Sequence, residues 1–420
     1  MSNTNTTEKR SRHAEGFSRR GFLAGAGAVA AGLTILRPEL VSGYQANGKV
    51  DIGFMGCGGR GTWIAELFRK HGGYNIVAAA DYFQDRLDDF GGKLNVKPES
   101  RYPGLAGYQR MLQQKLDAVV VESPPYFHPE HAAAGVEAGK HVYLAKPIAV
   151  DVPGCKTVEE SGKKATSKGL CFLVDFQTRA DQFYIEALRR VHEGAIGKFA
   201  FGESTYHADN PWQGQVEFAR QAGTNPESRL RAWGLDKVLS GDIITEQNIH
   251  TLDVVSWIMG QPPVCAFGTG GRKVRDFGDC WDTFSVTFQY PDNVGIAFSS
   301  RQFPGHGTQP EGILNRMFGT EGVLETSYGG QVLIRAEGDN FYRGGKSPAI
   351  YEEGAVTNIA TFHKSILAKD CANATVPESV RSNLVTILGR TSAYRGEVVY
   401  WDKLIASDEK LEIDLKGLKS

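Results

Sequence analysis

A glycine-rich turn between two apolar runs constrains the fold of this chain more strongly than any other feature. The first run, Val50–Met55, is typical of a strand buried in a parallel sheet, and it leads directly into G-C-G-G-R-G at 56–61. A segment with helical spacing follows, and a second apolar run at 76–80 ends at Asp81. This order of strand, turn, helix, strand and acid predicts a β–α–β unit that binds a dinucleotide.

The turn has the spacing G-x-G-x-x-G, and each of its three spaced glycines has a physical task. Gly56 permits the tight turn, Gly58 lets the backbone approach a pyrophosphate, and Gly61 lets the helix pack close to the strand. Unpaired N–H groups at the start of the helix favour the charge of the phosphates. The predicted cofactor contacts in the turn are Gly56, Cys57, Gly58, Gly59, Arg60 and Gly61.

Asp81 predicts which nicotinamide nucleotide is bound. It lies 20 residues after Gly61, where a carboxylate accepts hydrogen bonds from the adenosine ribose. The same carboxylate repels a 2′-phosphate, which favours NAD over NADP. Arg86 is near enough in sequence to offset this repulsion, so NADP stays the less favoured alternative.

The spacing of apolar residues divides the chain into three segments. Strands and helices alternate over 49–170, which predicts a doubly wound parallel sheet of the α/β class, an NAD-binding Rossmann domain. From 171 to 420, longer runs with a period of two are separated by turns. They predict an α+β substrate and oligomerisation domain with an open, mostly antiparallel sheet, and the strand at 171–176 is assigned to it.

Charge and cysteine content exclude several kinds of ligand. The 420 residues include 47 Lys and Arg against 48 Asp and Glu, without a long basic run in the globular part, which argues against nucleic-acid binding. The six cysteines form neither a C-x-x-C pair nor a Cys/His cluster, so no metal site is predicted. An even number of cysteines permits disulfides in an exported protein, but the sequence does not assign their pairing.

Segment 1–48 reads as a targeting signal and linker. Arg19 and Arg20 precede a short, mildly apolar stretch that is rich in Ala and Gly, which predicts export to the periplasm by the twin-arginine route. The stretch is too short and glycine-rich for a membrane span, although an uncleaved signal anchor stays open. Because the periplasm has no pool of nicotinamide cofactor, we expect the enzyme to hold NAD tightly.

Two predicted strands of the first domain end just before a proline, one at Ser123-Pro124 and the other at Lys146-Pro147. Ligands of such sheets bind beyond the carboxyl ends of the strands, so Ser123, Pro124 and His128 are predicted to contact the cofactor. Lys146 directly precedes Pro147, at the end of the second of these strands. Its ammonium could hydrogen-bond a substrate hydroxyl and ease its deprotonation, but a lysine in an exposed loop fits the spacing as well.

The densest polar cluster lies between strands of the second domain. Glu246, His250 and Asp253 have the spacing i, i+4 and i+7, which places them on one face if the segment is helical. An imidazole between two acids suits the oxidation of a hydroxyl group, with His250 as the proton shuttle. The same spacing also fits a helix end without catalytic function, in which the histidine packs in the core and the two acids are solvated. Residues predicted to bind substrate are Gln177, Arg179, Tyr206, His207 and Asp253.

Together these motifs resemble the Gfo/Idh/MocA oxidoreductases. The resemblance includes the glycine turn, S-P-x-x-x-H at 123–128, the run at 138–147 and E-x-x-x-H-x-x-D at 246–253. It implies that Lys146 contacts both nicotinamide ribose and substrate, that Glu246 and His250 are catalytic, and that the sheet of the second domain forms a homodimer or homotetramer. The chain has Ala145, Glu246 and Asn248 where the family usually has Glu, Asp and Gly.

The resemblance implies an NAD-dependent oxidoreductase that acts on a sugar, glycoside or polyol. Two alternatives stay open. The first is a glycosidase that oxidises its sugar transiently with NAD, eliminates the leaving group and returns the hydride; Tyr206 or His207 would supply its additional base. The second is a dinucleotide-bound sensor without catalytic activity, which the Ala145 and Glu246 departures keep open.

Overall fold

The two apolar runs around the glycine turn form neighbouring strands of a parallel sheet. In the computed structural model, which describes residues 48–420, Ile52 of the first run pairs with Ile76 of the second. The runs are apolar because helices cover both faces of the sheet, so that side chains on either face are buried. The predicted twin-arginine motif lies outside the described residues.

The first sheet has a doubly wound topology. Its strands are β1 (Val50–Met55), β2 (Tyr74–Asp81), β3 (Arg101–Pro103), β4 (Ala118–Val121), β5 (His141–Ala145) and β6 (Phe172–Asp175). They are ordered β3-β2-β1-β4-β5-β6, and every neighbouring pair is parallel. The order reverses between β1 and β4, and the crevice at such a reversal is where this topology binds nucleotides. The predicted α/β Rossmann fold is confirmed.

Helices connect the strands of the first sheet. They are α1 (Gly59–His71), α2 (Gln84–Leu94), α3 (Gly107–Leu112), α4 (His128–Glu137) and α5 (Val152–Ser167). Helix α1 begins inside the glycine turn and is capped after His71 by Gly72, whose φ of 79° is a conformation that glycine adopts without steric cost.

The assignment of the strand at 171–176 to the second domain is wrong. This strand, β6, pairs in parallel with β5 through Ala145 and Asp175, and it forms an edge of the first sheet. The helical pattern of α5 resembles an interdomain linker in the sequence, but α5 is the crossover between two parallel strands. Because β6 runs parallel to β1, Asp175 at the carboxyl end of β6 lies on the same side of the sheet as the glycine turn, which follows the carboxyl end of β1.

The second sheet is mostly antiparallel, as predicted. Its strands are β7 (Phe199–Ala208), β8 (Cys265–Gly271), β9 (Thr283–Gln289), β10 (Gly295–Gln302), β11 (Gly312–Gly319), β12 (Gly322–Ser327), β13 (Gln331–Ala336), β14 (Tyr342–Lys346) and β15 (Val399–Tyr400). Their order is β14-β13-β12-β11-β7-β10-β9-β8-β15, with β7 and β10 as the parallel pair. Alternate residues of β9 are buried and exposed, which gives the sheet one packed face and one open face.

Further helices cover the packed face of the second sheet and join the domains. They are α6 (Gln182–His192), α7 (Val216–Gln221), α8 (Pro226–Arg231), α9 (Lys237–Ser240), α10 (Asp242–Glu246), α11 (Ile249–Met259), α12 (Ile350–Ala368), α13 (Thr375–Arg395) and α14 (Trp401–Ile405). Helix α12 packs against the first domain: Tyr351 stacks on Trp63 of α1, and Asn358 donates a hydrogen bond to Asp175 at 2.8 Å. Within residues 48–420, no helix is long and apolar enough to cross a membrane.

Candidate active site

The glycine turn forms a phosphate cradle, since a side chain on two of its glycines would clash with the backbone. Gly56 has a φ of +100°, and a Cβ there would lie 2.5 Å from the carbonyl carbon of Glu122. A Cβ on Gly61 would lie 2.0 Å from the carbonyl oxygen of Gly56, so only glycine lets α1 start this close to β1. A Cβ on Gly59 would have no neighbour within 4 Å, and a Cβ on Gly58 would meet only Nη1 of Arg86, at 3.8 Å. The turn therefore fits a pyrophosphate in the way that its sequence predicts.

Asp81 and Arg86 lie together in the pocket at the adenosine end of this crevice. The carboxylate of Asp81 accepts hydrogen bonds from the backbone N–H groups of Cys57 at 2.8 Å and Phe83 at 2.9 Å. It is thereby fixed at the end of β2, beside the glycine turn. The guanidinium of Arg86 lies 4.8 Å from the ring centroid of Phe83. Because Cys57 contributes a backbone donor and a buried thiol, its side chain has a packing role.

Lys146 and Glu246 form a buried ion pair between the two domains. Lys146 follows β5 and is 8 % exposed, and its Nζ donates to the backbone oxygen of Glu246 at 2.8 Å and to Oε1 of Glu246 at 3.1 Å. Burial lowers the pKa of Lys146 from its ordinary value, and the carboxylate of Glu246 opposes this shift. The alternative of a lysine in an exposed loop is therefore wrong.

His250 lies in the first turn of α11 with an unpaired nitrogen. The ring is buried, its Nδ1 has no hydrogen-bond partner, and its centroid is 5.4 Å from the ring of Tyr328. Burial, and then the positive charges of Lys146 and Arg60, hold the pKa of His250 well below its usual value. The imidazole is therefore neutral near pH 7 and able to accept a proton.

The predicted stripe of Glu246, His250 and Asp253 on one helix is wrong, because the helix is interrupted at 247–248. Glu246 ends α10 and His250 begins α11. The backbone N–H groups of Gln247 and Asn248 both donate to the carbonyl of Ile243, which closes α10 before α11 starts. Glu246 and His250 are both brought close to Lys146 by this corner and not by helical periodicity.

Two predicted substrate ligands bind each other instead. The guanidinium of Arg179 donates to both carboxylate oxygens of Asp253 at 2.9 to 3.0 Å, and Ser382 donates to the same carboxylate at 2.6 Å. Asp253 is fully buried, so it neither orients His250 nor contacts a substrate. Gln177 is also fully buried and donates to Asp175 at 2.9 Å, which makes it a support of the sheet edge.

The two adjacent residues Tyr206 and His207 lie on opposite faces of β7. Ser204, two residues before Tyr206, bonds Thr251 of α11 on the packed face, and strand periodicity places Tyr206 on that face as well. The negative charge of Glu246 contributes to the raised pKa of Tyr206, after burial, which also places Tyr206 near the ion pair. His207 bonds Ser299 and the carbonyl of Pro310 on the open face, so its prediction as a substrate ligand or base is wrong.

His128 does not present its ring to a ligand. The ring is 1 % exposed, and its two nitrogens lie 2.7 Å from the carbonyl oxygen of Pro147 and 2.6 Å from that of Ser123. His128 thus joins the loops that follow β4 and β5, and its prediction as a cofactor contact is replaced by this positioning role. Ser123 and Pro124 line the pocket that contains Asp81, and Ser123 Oγ lies 2.9 Å from Nδ1 of His131.

A charged cluster that the sequence did not predict lies at the same sheet edge. Arg60 Nε is 3.1 Å from Oε2 of Glu122, and its Nη2 donates to Asp175 at 2.6 Å; Tyr351 is a further partner of the guanidinium. Glu122 and Asp175 follow or end β4 and β6, on either side of Ala145 at the end of β5. The guanidinium of Arg60 thus bridges two acids that lie on the strands to either side of Ala145. Burial raises the pKa of Glu122 to about 7.

Tyr328, in the turn after β12, is a further site residue that the sequence did not reveal. Its hydroxyl group is buried without a hydrogen-bond partner and its ring lies beside His250. Burial raises the pKa of Tyr328, so the phenol is neutral and can donate or accept a hydrogen bond. The neighbouring glycines at 329–330 mark a turn in the sequence, but nothing in the pattern connects that turn to His250.

The fold and site together define a two-domain oxidoreductase that uses a nicotinamide nucleotide. A family model described as oxidoreductase family, NAD-binding Rossmann fold (GFO_IDH_MocA) matches residues 50–176, and the GFO/IDH/MocA C-terminal domain model matches 184–325. The chain belongs to the Gfo/Idh/MocA family of NAD-dependent oxidoreductases. The family resemblance and the preference for NAD are thereby confirmed.

Individual relatives are distant. Scyllo-inositol 2-dehydrogenase (NAD(+)) of Bacillus subtilis is 24 % identical over 282 residues, 66 % of this chain and 73 % of the relative. A glycosyl hydrolase family 109 protein of Shewanella baltica is 28 % identical over 218 residues, 46 % of this chain and 47 % of the relative. The crystal structure of scyllo-inositol dehydrogenase from Lactobacillus casei with NAD(H) and scyllo-inositol has a TM-score of 0.66 at 20 % identity, covering 84 % of this chain and 99 % of that one.

Proposed function

We propose that this protein oxidises a secondary hydroxyl group of a cyclic polyol or sugar. The observation that supports this proposal is the unpartnered Nδ1 of His250 close to the buried Lys146–Glu246 pair, at the carboxyl edge of the NAD-binding sheet. A hydroxyl group bound there meets a cationic donor and a neutral proton acceptor together. The relatives named as inositol dehydrogenases support a polyol as the substrate class.

NAD, when bound, supplies the acceptor for the hydride of the carbinol carbon. In the proposed mechanism Lys146 donates a hydrogen bond to the hydroxyl oxygen and stabilises the negative charge that develops there. His250 takes the hydroxyl proton at its free nitrogen. Glu246 fixes the ammonium through two oxygens and is therefore a positioning residue.

Aromatic hydroxyl groups complete the proposed substrate site. Tyr206 lies on the packed face of β7 near Glu246, and Tyr328 lies beside His250. Both phenols are protonated at neutral pH because burial raises their pKa values. Their rings and hydroxyl groups suit a substrate that has apolar ring faces and many hydroxyls.

The proposal is tested by the reduction of NAD in purified protein across a panel of inositols and hexoses, followed at 340 nm. We expect at least one polyol to give NADH in wild type, and Lys146→Met and His250→Gln to give little while still binding NAD. If no compound reduces NAD, and the Lys146 variant matches wild type in every assay, the sensor alternative replaces the enzyme.

A glycosidase with transient oxidation is the second candidate, favoured by the similarity to a glycosyl hydrolase family 109 protein, of which the chain spans about half the length. Such a reaction needs one further base, and Tyr206 is the candidate that faces the site, since His207 does not. Release of nitrophenol from nitrophenyl glycosides without net NADH would support the glycosidase over the dehydrogenase.

We propose that the chain is exported to the periplasm and keeps NAD bound during turnover. Arg19 and Arg20 before the Ala- and Gly-rich stretch support this location. Replacement of both arginines by lysine should leave the protein in the cytoplasmic fraction. Wild-type protein from the periplasm should release NAD on denaturation; protein that releases none contradicts retention.

We propose that the open face of the second sheet joins two or four copies of the chain. Phe201 is 46 % exposed there and stacks on Phe318 at 4.5 Å, which is an apolar patch of the kind found at interfaces. Light scattering should give a dimer or tetramer for wild type and a smaller species for Phe201→Glu. A monomeric wild type contradicts the proposal.

A further inference from the structure

Two cysteines that are 200 residues apart in sequence meet at the edge of the first sheet. The Sγ atoms of Cys171 and Cys371 are 3.2 Å apart. Cys171 directly precedes β6 and is 3 % exposed, while Cys371 lies half-buried in the connection between α12 and α13. This separation is roughly 1 Å longer than the S–S bond of a disulfide.

The segment 370–375, here called the edge strap, comprises most of the connection between α12 and α13 and the first residue of α13, and it covers the free side of β6. Backbone N–H groups of β6 donate to it: Phe172 to Oδ1 of Asn373 at 2.6 Å, and Val174 to Oγ1 of Thr375 at 3.0 Å. The amide of Asn373 donates back to the carbonyl of Leu170 at 2.9 Å. The strap therefore satisfies an edge that would otherwise present unpaired backbone groups to other chains.

We propose that Cys171 and Cys371 form a disulfide that fastens the edge strap to β6 when the protein reaches an oxidising compartment. In this reaction the thiolate of the more exposed Cys371 attacks a disulfide of the oxidant, a thiol oxidase or glutathione disulfide, and forms a mixed disulfide. Cys171 then attacks Sγ of Cys371 and releases the second thiol of the oxidant. Two thiols are oxidised, one disulfide is reduced, and the two protons pass to the released thiols.

The order of attack follows from the surroundings of the two thiols. Burial and the neighbouring Cys371 raise the pKa of Cys171, so its thiolate is scarce near pH 7. Cys371 is the more exposed of the two cysteines, so an external oxidant reaches it first. Once the mixed disulfide exists, Cys171 is the thiol placed to resolve it.

The four other cysteines have different partners, which makes the pairing specific. Cys57 contacts the carbonyl of Ala80, Cys155 accepts from Asn383, Cys265 contacts Gln289, and Cys280 contacts Ser240. The wild-type protein should therefore contain one disulfide and four thiols. The sequence alone permits 15 ways of pairing all six cysteines, and none of them is favoured by spacing.

The disulfide would act on the active site through β6. The end of this strand bears Asp175, which accepts hydrogen bonds from Arg60 and from Asn358 of α12. The strap is also the connection between α12 and α13, the helices that pack back against the first domain. A covalent link at the start of β6 thus limits separation of the two domains, independently of the substrate and of the proposed reaction.

The test uses full-length protein purified from the periplasm, and a second sample equilibrated with excess glutathione disulfide. Alkylation in denaturant should label four thiols before reduction and six after it, and a peptide containing residue 171 should be linked to one containing 371. Labelling of six thiols without reduction in both samples would overturn the proposal. A different linked pair would overturn it as well.

Thermal unfolding separates a structural disulfide from two thiols that only pack. Reduction should lower the Tm of wild type by roughly 5 °C or more, because closing a loop of this length restricts the unfolded chain. Cys371→Ser should match reduced wild type and show no response to reductant. The matched control Cys265→Ser should keep the full response. Equal Tm values for oxidised and reduced wild type would contradict a stabilising link.

Discussion

The Lys146–Glu246 pair gives a prediction whose magnitude follows from the structure. Two oxygens of Glu246 accept from Nζ of Lys146, the backbone oxygen at 2.8 Å and Oε1 at 3.1 Å. Glu246→Gln removes the negative charge and keeps both hydrogen-bond acceptors. At 3.1 Å and an effective dielectric constant of 20, a charge pair is worth about 5 kcal/mol. The retained amide oxygen and solvent relaxation reduce the net loss to about 1.5–3 kcal/mol, or roughly one to two pKa units.

The sign of the effect is set by the direction of the existing shift. Burial already lowers the pKa of Lys146, and Glu246 is the main group that opposes it. Without that charge the ammonium loses its proton at a lower pH. The alkaline limb of kcat/KM for polyol oxidation should therefore move down by roughly one to two pH units in Glu246→Gln.

The assay is the pH profile of kcat/KM, measured as the apparent second-order rate constant for reduction of the bound NAD at low polyol concentration, between about pH 6 and 10.5. Glu246→Asp is the matched control, since it keeps the charge and should keep an alkaline limb near that of wild type. NAD affinity, measured by fluorescence, should be the same in all three proteins. Coincident limbs for wild type and Glu246→Gln would refute the argument that this carboxylate keeps Lys146 protonated.

Further predictions concern the proposed base His250, the nucleotide specificity and the charged cluster of Arg60, Glu122 and Asp175. His250→Gln should lower kcat about 10²–10³-fold without changing the Kd of NAD, and a loss below threefold would exclude a general base. Asp81→Ala should weaken NAD more than NADP in fluorescence titrations, and an unchanged ratio of the two Kd values would contradict the ribose contact. Ala145→Glu should lower the free energy of unfolding by about 2–4 kcal/mol in urea, because it displaces Arg60, whereas Ala145→Ser should not. As burial raises the pKa of Glu122 from 4.5 to about 7, the native state holds this proton longer than the unfolded state. The stability that this proton contributes is present below the unfolded pKa of 4.5 and is lost as the pH rises to about 7. Glu122→Gln should therefore flatten the dependence of the free energy of unfolding on pH in this range, and an unchanged dependence would contradict the argument.

The first domain could be predicted from sequence because its signal is local. One β–α–β unit contains the glycine turn at 56–61 and the acid at Asp81, and the apolar runs are continuous because both faces of the sheet are buried. The same local signal does not show where the domain ends, because β6 is apolar and would fit a strand of either sheet. Only its pairing with β5 shows where it belongs.

The site was predicted in part, since strand ends and helix starts attract polar residues that the sequence shows. Lys146 and His250 lie close together, as predicted, although the corner at 247–248 separates Glu246 from the helix that contains His250 and Asp253. Helical spacing could not reveal that Asp253 is neutralised by Arg179, 74 residues away. Strand periodicity over 199–208 does separate Tyr206 from His207, because successive side chains of a strand point to opposite faces of the sheet.

The charged cluster of Arg60, Glu122 and Asp175 shows a second limit of prediction from the sequence. Each residue comes from a different strand end or turn, and no spacing in the sequence connects them. Ala145 lies on the strand between the two acids that Arg60 bridges, and we expect a larger side chain there to compete with the guanidinium. A departure from a family motif became interpretable only when its neighbours in space were known.

The most direct test of the account is deuterium transfer from a polyol labelled at its carbinol carbons. NAD-loaded wild-type protein is mixed with deuterated scyllo-inositol in a single turnover, and the nucleotide is analysed by mass spectrometry. The account predicts NADH that is heavier by one deuterium, and unlabelled NAD from Lys146→Met treated in the same way. Loaded wild-type protein that turns over a polyol without placing deuterium on the nucleotide would contradict it.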